Sequence, residues 1–225
     1  MNMVFARENE KLKEWILRLA GEVESRVSEV LKAVRDRDKE ALLTLVELDS
    51  EIDEREVQIE EECLKILALH QPVARDLRFV VAVLKINNDL ERIGDIVVNI
   101  ADRGLRLADF PMSDLQEKLM RMGKLTRSML KDSIEALIEL DVVKAVAVIR
   151  RDDEVDQLKA EVVSDVVARA TPENSGAMTE SLLLIHSVAR DLERIGDHAT
   201  NIAEDVAYLV DGTIIRHKKL QTNQE

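Results

Sequence analysis

The sequence predicts an all-α protein built as two tandem three-helix bundles, with six long helices related by an internal repeat. Glycine and proline are scarce and aromatic residues make up 2% of the chain, which favours long helices packed through aliphatic side chains. The segment 89–101 returns at 191–203 with 10 of 13 positions identical at a constant offset of 102. The predicted units are residues 1–110 and 111–212, followed by a tail, residues 213–225, that is expected to fray.

Five residues mark the breaks between the predicted helices. Pro72, Pro111 and Pro172 each interrupt a helical pattern, because proline lacks the amide hydrogen that a helix interior needs. Asp38 and Asp141 stand 103 residues apart as candidate N-caps. The predicted helices span residues 8–35, 39–70, 73–108, 114–140, 142–170 and 174–210.

The third and sixth helices carry a heptad seam, in which apolar residues recur at alternate spacings of four and three. The seam consists of Ile86, Leu90, Ile93, Val97 and Ile100 in the third helix, and of Val188, Leu192, Ile195, Ala199, Ile202, Val206 and Leu209 in the sixth. This spacing predicts that the two helices lie in the cores of their bundles.

Charge and composition exclude several classes of function. The net charge of −13 argues against a nucleic-acid partner and against charge-driven binding to an anionic membrane. The N-terminal stretch "MNMVFARENEKLKEW" has no apolar signal core, and no stretch is long and apolar enough to span a bilayer. We therefore expect a cytoplasmic protein without membrane insertion. The single cysteine, Cys63, is expected to be a small buried hydrophobe.

Acidic residues form a repeated pattern on the predicted outer faces of the helices. Glu91, Asp95 and Asn99 lie on the side of the third helix away from its seam. Asp49 and Asp53 precede the first hairpin turn by about as many residues as Glu91 and Asp95 follow it. An antiparallel pair of helices would therefore bring the two acid pairs to one level, and the second half repeats this arrangement.

Two interpretations of these acids stay open on residue patterns alone. Oxygen-rich clusters suit hard cations such as Mg²⁺, Mn²⁺, Ca²⁺ or iron, whereas a solvated acidic face needs no ligand. Gly94 and Gly196, which border the acids, either allow close helix packing or clear space for an ion. The pattern argues against a buried ferritin-type di-metal site, because the acids face outward and lack the Glu-x-x-His spacing.

Two long segments resemble the PhoU family of phosphate transport regulators: "HQPVARDLRFVVAVLKINNDLERIGDIVVNIA" at 70–101 and "SVARDLERIGDHATNIAEDVAYLVDG" at 187–212. The resemblance implies an all-helical protein of two three-helix bundles, often dimeric. It also implies surface sites for metal ions, either iron, zinc, manganese or magnesium. The ligand positions that it implies are Asp49, Asp53, Glu91, Asp95 and Asn99 in the first half, and Asp152, Asp156, Glu193, Asp197 and Asn201 in the second.

The same resemblance implies a regulator without catalytic activity of its own. Such a protein would dampen phosphate uptake and phosphate-starvation signalling by contacting the ATPase subunit of the phosphate ABC transporter and the sensor histidine kinase, and it would form a homodimer. The alternative is a metal-cluster enzyme for phosphoester hydrolysis or redox chemistry. Against the enzyme, the sequence shows no nucleophile–base constellation and no phosphate-cradling glycine loop. A helical spacer would need neither the doubled acids nor the glycines.

Overall fold

A computed structural model describes residues 3–47, 50–111 and 113–212, and this part of the chain is helical with no strand. The helices are α1 (Met3–Asp36), α2 (Lys39–Glu47), α3 (Ser50–His70), α4 (Ala74–Leu107), α5 (Asp114–Glu139), α6 (Val142–Arg150), α7 (Asp152–Arg169) and α8 (Gly176–Asp211). The predicted all-α class is confirmed. The predicted tail, residues 213–225, lies outside the described residues.

The eight segments follow the six predicted helices, with one correction inside the fifth. That helix was predicted to be continuous, but it is interrupted at Arg151. The Arg151 guanidinium donates hydrogen bonds to Ser128 Oγ at 3.0 Å and to Asp132 Oδ2 at 2.5 Å, both on α5. Three acids then occupy the first turn of α7, where they interact favourably with the partial positive charge of a new helix N-terminus. The second predicted helix corresponds to α2 and α3, on either side of residues 48–49, which are not described.

Local sequence signals place the remaining helix ends. Asp141 accepts hydrogen bonds from the amides of Val143 and Lys144 and thereby caps α6, and Asp38 accepts one from Ala41 at the start of α2. These side chains satisfy amides that have no partner within the helix. The three prolines all lie between helices, as predicted.

Helices α1, α2, α3 and α4 form one bundle, and α5, α6, α7 and α8 form the other. The predicted seams on α4 and α8 are buried throughout, because they pack against the other helices of their bundles and against each other. Cys63 is also buried, and the loss of solvent raises the pKa of its thiol to about 12. None of the described helices combines the length and apolarity needed to cross a bilayer.

Helices α4 and α8 run antiparallel along the junction between the bundles. Lys85, near the start of α4, donates to Asp205 near the end of α8 at 3.0 Å, whereas Arg103, near the end of α4, pairs with Asp191 of α8. Both aspartates are buried. Because α4 and α8 are antiparallel, the turn between α3 and α4 lies at the same end of the molecule as the junction between α5 and α6. The turn between α7 and α8 lies at the opposite end, with the junction between α1 and α2.

Candidate metal centre

Three predicted ligands of the first half converge on one spot. Asp53 lies on α3, and Glu91 and Asp95 lie one helical turn apart on α4. One carboxylate oxygen from each residue lies within 4.8 Å of the other two. Glu91 is partly buried, while Asp53 and Asp95 are exposed. The antiparallel hairpin therefore brings acids from two helices to one level, which residue spacing alone left undecided.

The first-half acids repel one another, and the neighbouring Arg92 offsets this repulsion only in part. Burial raises the pKa of Glu91, and the negative charge of Asp95 raises it further. Among the described residues, none of the three carboxylates makes an ion pair. Three carboxylate oxygens at this spacing, without ion pairs among the described residues, form a donor set suited to a hard cation.

A further acid, which sequence reasoning missed, extends this cluster. Glu56 lies one turn after Asp53 on α3, and burial raises the pKa of its carboxyl, with Glu60 and Asp53 adding to the effect. Its side chain accepts a hydrogen bond from Asn87 Nδ2 at 3.1 Å. The buried Asn87 thus holds Glu56 beside the cluster.

Two further predicted ligands of the first half are Asn99 and Asp49. Asn99 continues the acidic face one turn beyond Asp95, and its amide donates to the Asp95 backbone carbonyl at 2.9 Å. Its side-chain nitrogen is thus used within the helix. Asp49 lies outside the described residues, so its role as a ligand stays a prediction.

The second half gathers four acids that interact electrostatically, but less tightly. Partial burial raises the pKa of Asp197 to about 6, with the charges of Glu193, Asp152 and Asp156 adding to the effect. Burial also raises the pKa of Asp152, although its Oδ1 accepts a hydrogen bond from Thr200 at 3.3 Å. Within the described ranges, only the first-half trio brings three acidic oxygens within 4.8 Å.

A lysine accounts for part of this difference. Lys159 Nζ donates to Glu193 Oε1 at 2.5 Å, so one of the four carboxylates already has a cationic partner. Lys159 stands 103 residues after Glu56, the same offset that relates Asp156 to Asp53. Lys159 therefore occupies the position in the second half that Glu56 occupies in the first. Aligning the two repeats residue by residue could have revealed this exchange.

Two residues near the second acids face the other bundle instead. His198 Nδ1 lies 2.8 Å from Asp89 Oδ1, and Asn201 Nδ2 donates to the same oxygen at 3.2 Å. Asp89 belongs to α4, so both contacts join the two halves. The Nδ1 atom of His198 is therefore used at the junction between the bundles. Asn201 keeps only its carbonyl oxygen for a cation, and its role as a ligand stays a prediction.

The two glycines beside the acids are packing residues. A Cβ on Gly94 would lie 2.9 Å from Ile52 Cδ1, and one on Gly196 would lie 3.5 Å from Val155 Cγ1. Ile52 and Val155 are themselves 103 residues apart. Each glycine thus faces an apolar residue of the neighbouring helix, so of the two roles open on sequence, the geometry favours close packing.

Comparison with known proteins identifies relatives of this chain in both sequence and structure. The sequence model of the PhoU domain matches twice, at residues 16–104 and 119–206. A phosphate-specific transport system accessory protein PhoU homolog from Deinococcus radiodurans is 43% identical over 74% of this chain and 77% of its own length. A homolog of the same name from Caulobacter vibrioides is 37% identical over 92% of this chain and 90% of its own length.

Solved structures share the architecture. The crystal structure of PhoU from Pseudomonas aeruginosa superposes with a TM-score of 0.88 at 34% identity, covering 93% of this chain and 100% of the other. The phosphate transport system regulatory protein PhoU from Streptococcus pneumoniae gives a TM-score of 0.85 at 30% identity, covering 93% and 98% of the two chains. Both matches span the two bundles.

Proposed function

Because this chain belongs to the PhoU family, we propose that it is a negative regulator of phosphate uptake and of phosphate-starvation signalling. Its targets are the ATPase subunit of the phosphate ABC transporter and the sensor histidine kinase of the starvation response. The observation that carries the proposal is the doubled PhoU domain, which accounts for most of both bundles.

The chemistry of the described residues favours a binding protein over an enzyme. Cys63 is buried and its raised pKa keeps the thiol protonated near neutral pH, which removes it as a nucleophile. His70 and His198 are each engaged by a carboxylate, Glu8 at 2.5 Å and Asp89 at 2.8 Å. Neither contact joins a histidine to a serine, threonine or cysteine, as nucleophilic catalysis requires.

We include a metal ion, held by Asp53, Glu91 and Asp95, in the proposed function. These residues fit a cation because one carboxylate oxygen from each lies within 4.8 Å of the other two, and because burial and like charge raise the pKa of Glu91. A bound divalent or trivalent ion, namely iron, zinc, manganese or magnesium, would neutralise the repulsion and fix α3 against α4. The ion would thus serve structure or signalling rather than catalysis.

Deleting the gene tests the regulatory proposal. We expect phosphate-starvation reporter expression and phosphate uptake in phosphate-rich medium both to rise in the deletion strain, and the wild-type gene to restore both. A conservative surface variant, Lys124→Arg, serves as the complementation control. Unchanged reporter output together with unchanged uptake in the deletion strain would contradict the proposal.

A further inference from the structure

One end of the molecule exposes an unusual number of aliphatic side chains. This end, called the apolar end below, is formed by the start of α1, the turn between α3 and α4, the junction between α5 and α6, and the end of α8. The exposed aliphatic residues there are Leu69, Val73, Leu77, Ile138, Leu140, Val143 and Val210. Val73 is 74% exposed and Val143 is 80% exposed, so most of these two side chains is free of contacts with the described part of the chain.

A groove crosses the apolar end between the two bundles. Its volume is about 260 Å³, and its walls are largely apolar. The apolar lining consists of Ile16, Leu17, Phe79, Leu137, Leu140, Leu209 and Val210. Asp76 lines both this groove and a second depression at the α3–α4 turn beside Leu69 and Val73. The exposed turn and the groove therefore form one continuous surface.

Cationic side chains without partners surround this surface. Lys13 and Arg75 line the groove, and Arg78 packs its guanidinium against Gly212 at the end of α8. Within the part of the chain that is described, none of the three makes an ion pair. The Nε of Arg78 is buried without an acceptor. Acids are present too, Glu10 and Asp76, but they leave these cations unpaired.

The opposite end of the molecule provides an internal comparison, because the repeat gives it the same helix arrangement. There the turn between α7 and α8 reads "ATPENS" and is polar. Its cations are paired: Arg169 donates to Asp114 at 2.5 Å, and Arg106 donates to Glu180 at 2.6 Å. The opposite end also exposes aliphatic side chains, Val167 and Leu183 among them, so the two ends differ in the polarity of the turn and in the pairing of their cations.

Among the described residues, three of the four non-glycine residues with positive φ lie at the apolar end, and the fourth, Arg37, lies at the opposite end. Gln71, Ala74 and Leu140 adopt positive φ angles of 45°, 49° and 53°, a region that side chains other than glycine rarely occupy. Gln71 and Ala74 flank the exposed Val73. Strained backbone of this kind persists where a local shape is needed for function.

We propose that the apolar end is the docking surface for the transporter ATPase subunit, which inserts an amphipathic helix with acidic flanks. The apolar face of that helix would fill the groove, and its carboxylates would pair with Lys13, Arg75 and Arg78, as in helix-in-groove recognition. Charge complementarity selects an acidic partner, even though the whole chain carries a net charge of −13. The inference rests on the proposed function, since it names the surface through which that function acts.

Binding of the full chain to the purified ATPase subunit, measured by biolayer interferometry, tests the proposal. We expect Val73→Asp and Arg75→Glu each to weaken binding at least about tenfold, because each disrupts an anchor at the centre of the surface. The matched controls are Val167→Asp, on α7 near the opposite end and 67% exposed in the wild type, and Lys124→Glu on α5. Both controls should bind within about twofold of the wild type, since surface substitutions away from an interface have little effect. Thermal melts verify folding.

Several outcomes would overturn the proposal. One is a wild-type chain that does not bind the ATPase subunit. The others are control variants that weaken binding as much as Val73→Asp and Arg75→Glu do, and normal binding by Val73→Asp and Arg75→Glu. If Val73→Asp or Arg75→Glu changes only the self-association of the chain, measured by sedimentation, the apolar end would bind a second copy of this chain instead. The phosphate-starvation reporter in cells distinguishes failure of the docking proposal from failure of the proposed regulatory function. If deletion changes the reporter but Val73→Asp complements fully, only the docking surface is wrong; if deletion changes nothing, the regulatory function is wrong.

Discussion

Lys159 donates a hydrogen bond to Glu193 across 2.5 Å, and this single ion pair distinguishes the acidic cluster of the second half from that of the first. In the first half the corresponding position is Glu56, which adds negative charge where Lys159 supplies positive charge. The repeat thus carries two acidic clusters of similar residues, of which the second is less negative because it includes Lys159. Lys159 already neutralises part of the second cluster, whereas among the described residues Asp53, Glu91 and Asp95 of the first cluster make no such ion pair.

Metal binding should therefore depend on the first half. We expect a chelator to lower the melting temperature of the wild type, because an ion that binds only the folded state stabilises it by about 2.7 kcal/mol at a hundredfold excess over Kd. Asp95→Asn should abolish this sensitivity, and Asp197→Asn, its counterpart in the repeat, should preserve it. Calorimetry with and without chelator measures the effect. Equal melting temperatures for the wild type under both conditions would instead support a solvated acidic face.

Substitutions at Lys159 and Glu56, which occupy equivalent positions of the repeat, test whether the lysine causes the difference in metal binding between the halves. Lys159→Glu should give the second half the composition of the first and raise the metal content of the chain by roughly one ion, since oxygen ligands set hard-cation affinity. Glu56→Lys should lower the content. Elemental analysis after equilibration with each metal provides the measurement. If Lys159→Glu leaves metal content unchanged, the lysine does not control occupancy.

Asp197 should make the stability of the metal-free protein depend on pH. Its folded-state pKa of about 6 lies above the ordinary value of 3.8, so the folded state binds a proton that the unfolded state releases. This contribution is complete below about pH 4 and is lost as the pH rises through about 6. Asp197→Asn should therefore be more stable than the wild type at pH 7, with the difference shrinking towards pH 4. Urea titrations in chelator at several pH values measure this difference, and one that does not change with pH would contradict the assignment.

Gly196 and Gly94 should differ in how well they tolerate an added methyl group. Gly196→Ala should stabilise the protein by up to about 1 kcal/mol, because alanine favours a helix over glycine and its Cβ meets Val155 and Thr126 at ordinary contact distances of 3.5 and 3.7 Å. Gly94→Ala should gain less, since Ile52 Cδ1 would lie 2.9 Å from the new Cβ and must move. Urea unfolding of the two variants compares them directly. A larger gain for Gly94→Ala would show that Ile52 yields freely.

The fold could be predicted from the sequence because its signals are local. Pro72 and Pro172 break helices through their own backbone geometry, and the heptad seams indicate which helix faces are buried. The interruption at Arg151 could not be predicted, since it depends on hydrogen bonds to α5, a helix distant in sequence.

The candidate site was predicted in part for the same reason. Glu91 and Asp95 share a helical face by spacing alone. Whether Asp53 reaches them depends on how α3 rotates against α4, which the packing of Ile52 on Gly94 determines. The direction of His198 towards Asp89 likewise follows from the packing of the two bundles, which the repeat did not specify.

The buried ion pair between Arg103 and Asp191 should hold the two bundles together. The Asp191 side chain is 1% exposed, and burial raises the pKa of its carboxyl while Arg103 opposes that shift. Arg103→Met should cost about 3–5 kcal/mol of unfolding free energy, because it leaves a buried carboxylate without a partner. Lys39→Met, which breaks the exposed pair with Asp109 at 2.6 Å, should cost at most about 1 kcal/mol.

Urea unfolding of both variants measures the contrast, and adding Asp191→Asn to Arg103→Met identifies its origin. If the cost arises from the unpaired charge, the neutral amide should recover part of the lost stability, since an uncharged polar group is less costly to bury than an ion. No recovery in the double variant would mean that the Arg103 side chain contributes through packing alone. A cost for Arg103→Met no greater than that for Lys39→Met would show that the bundles do not depend on this pair.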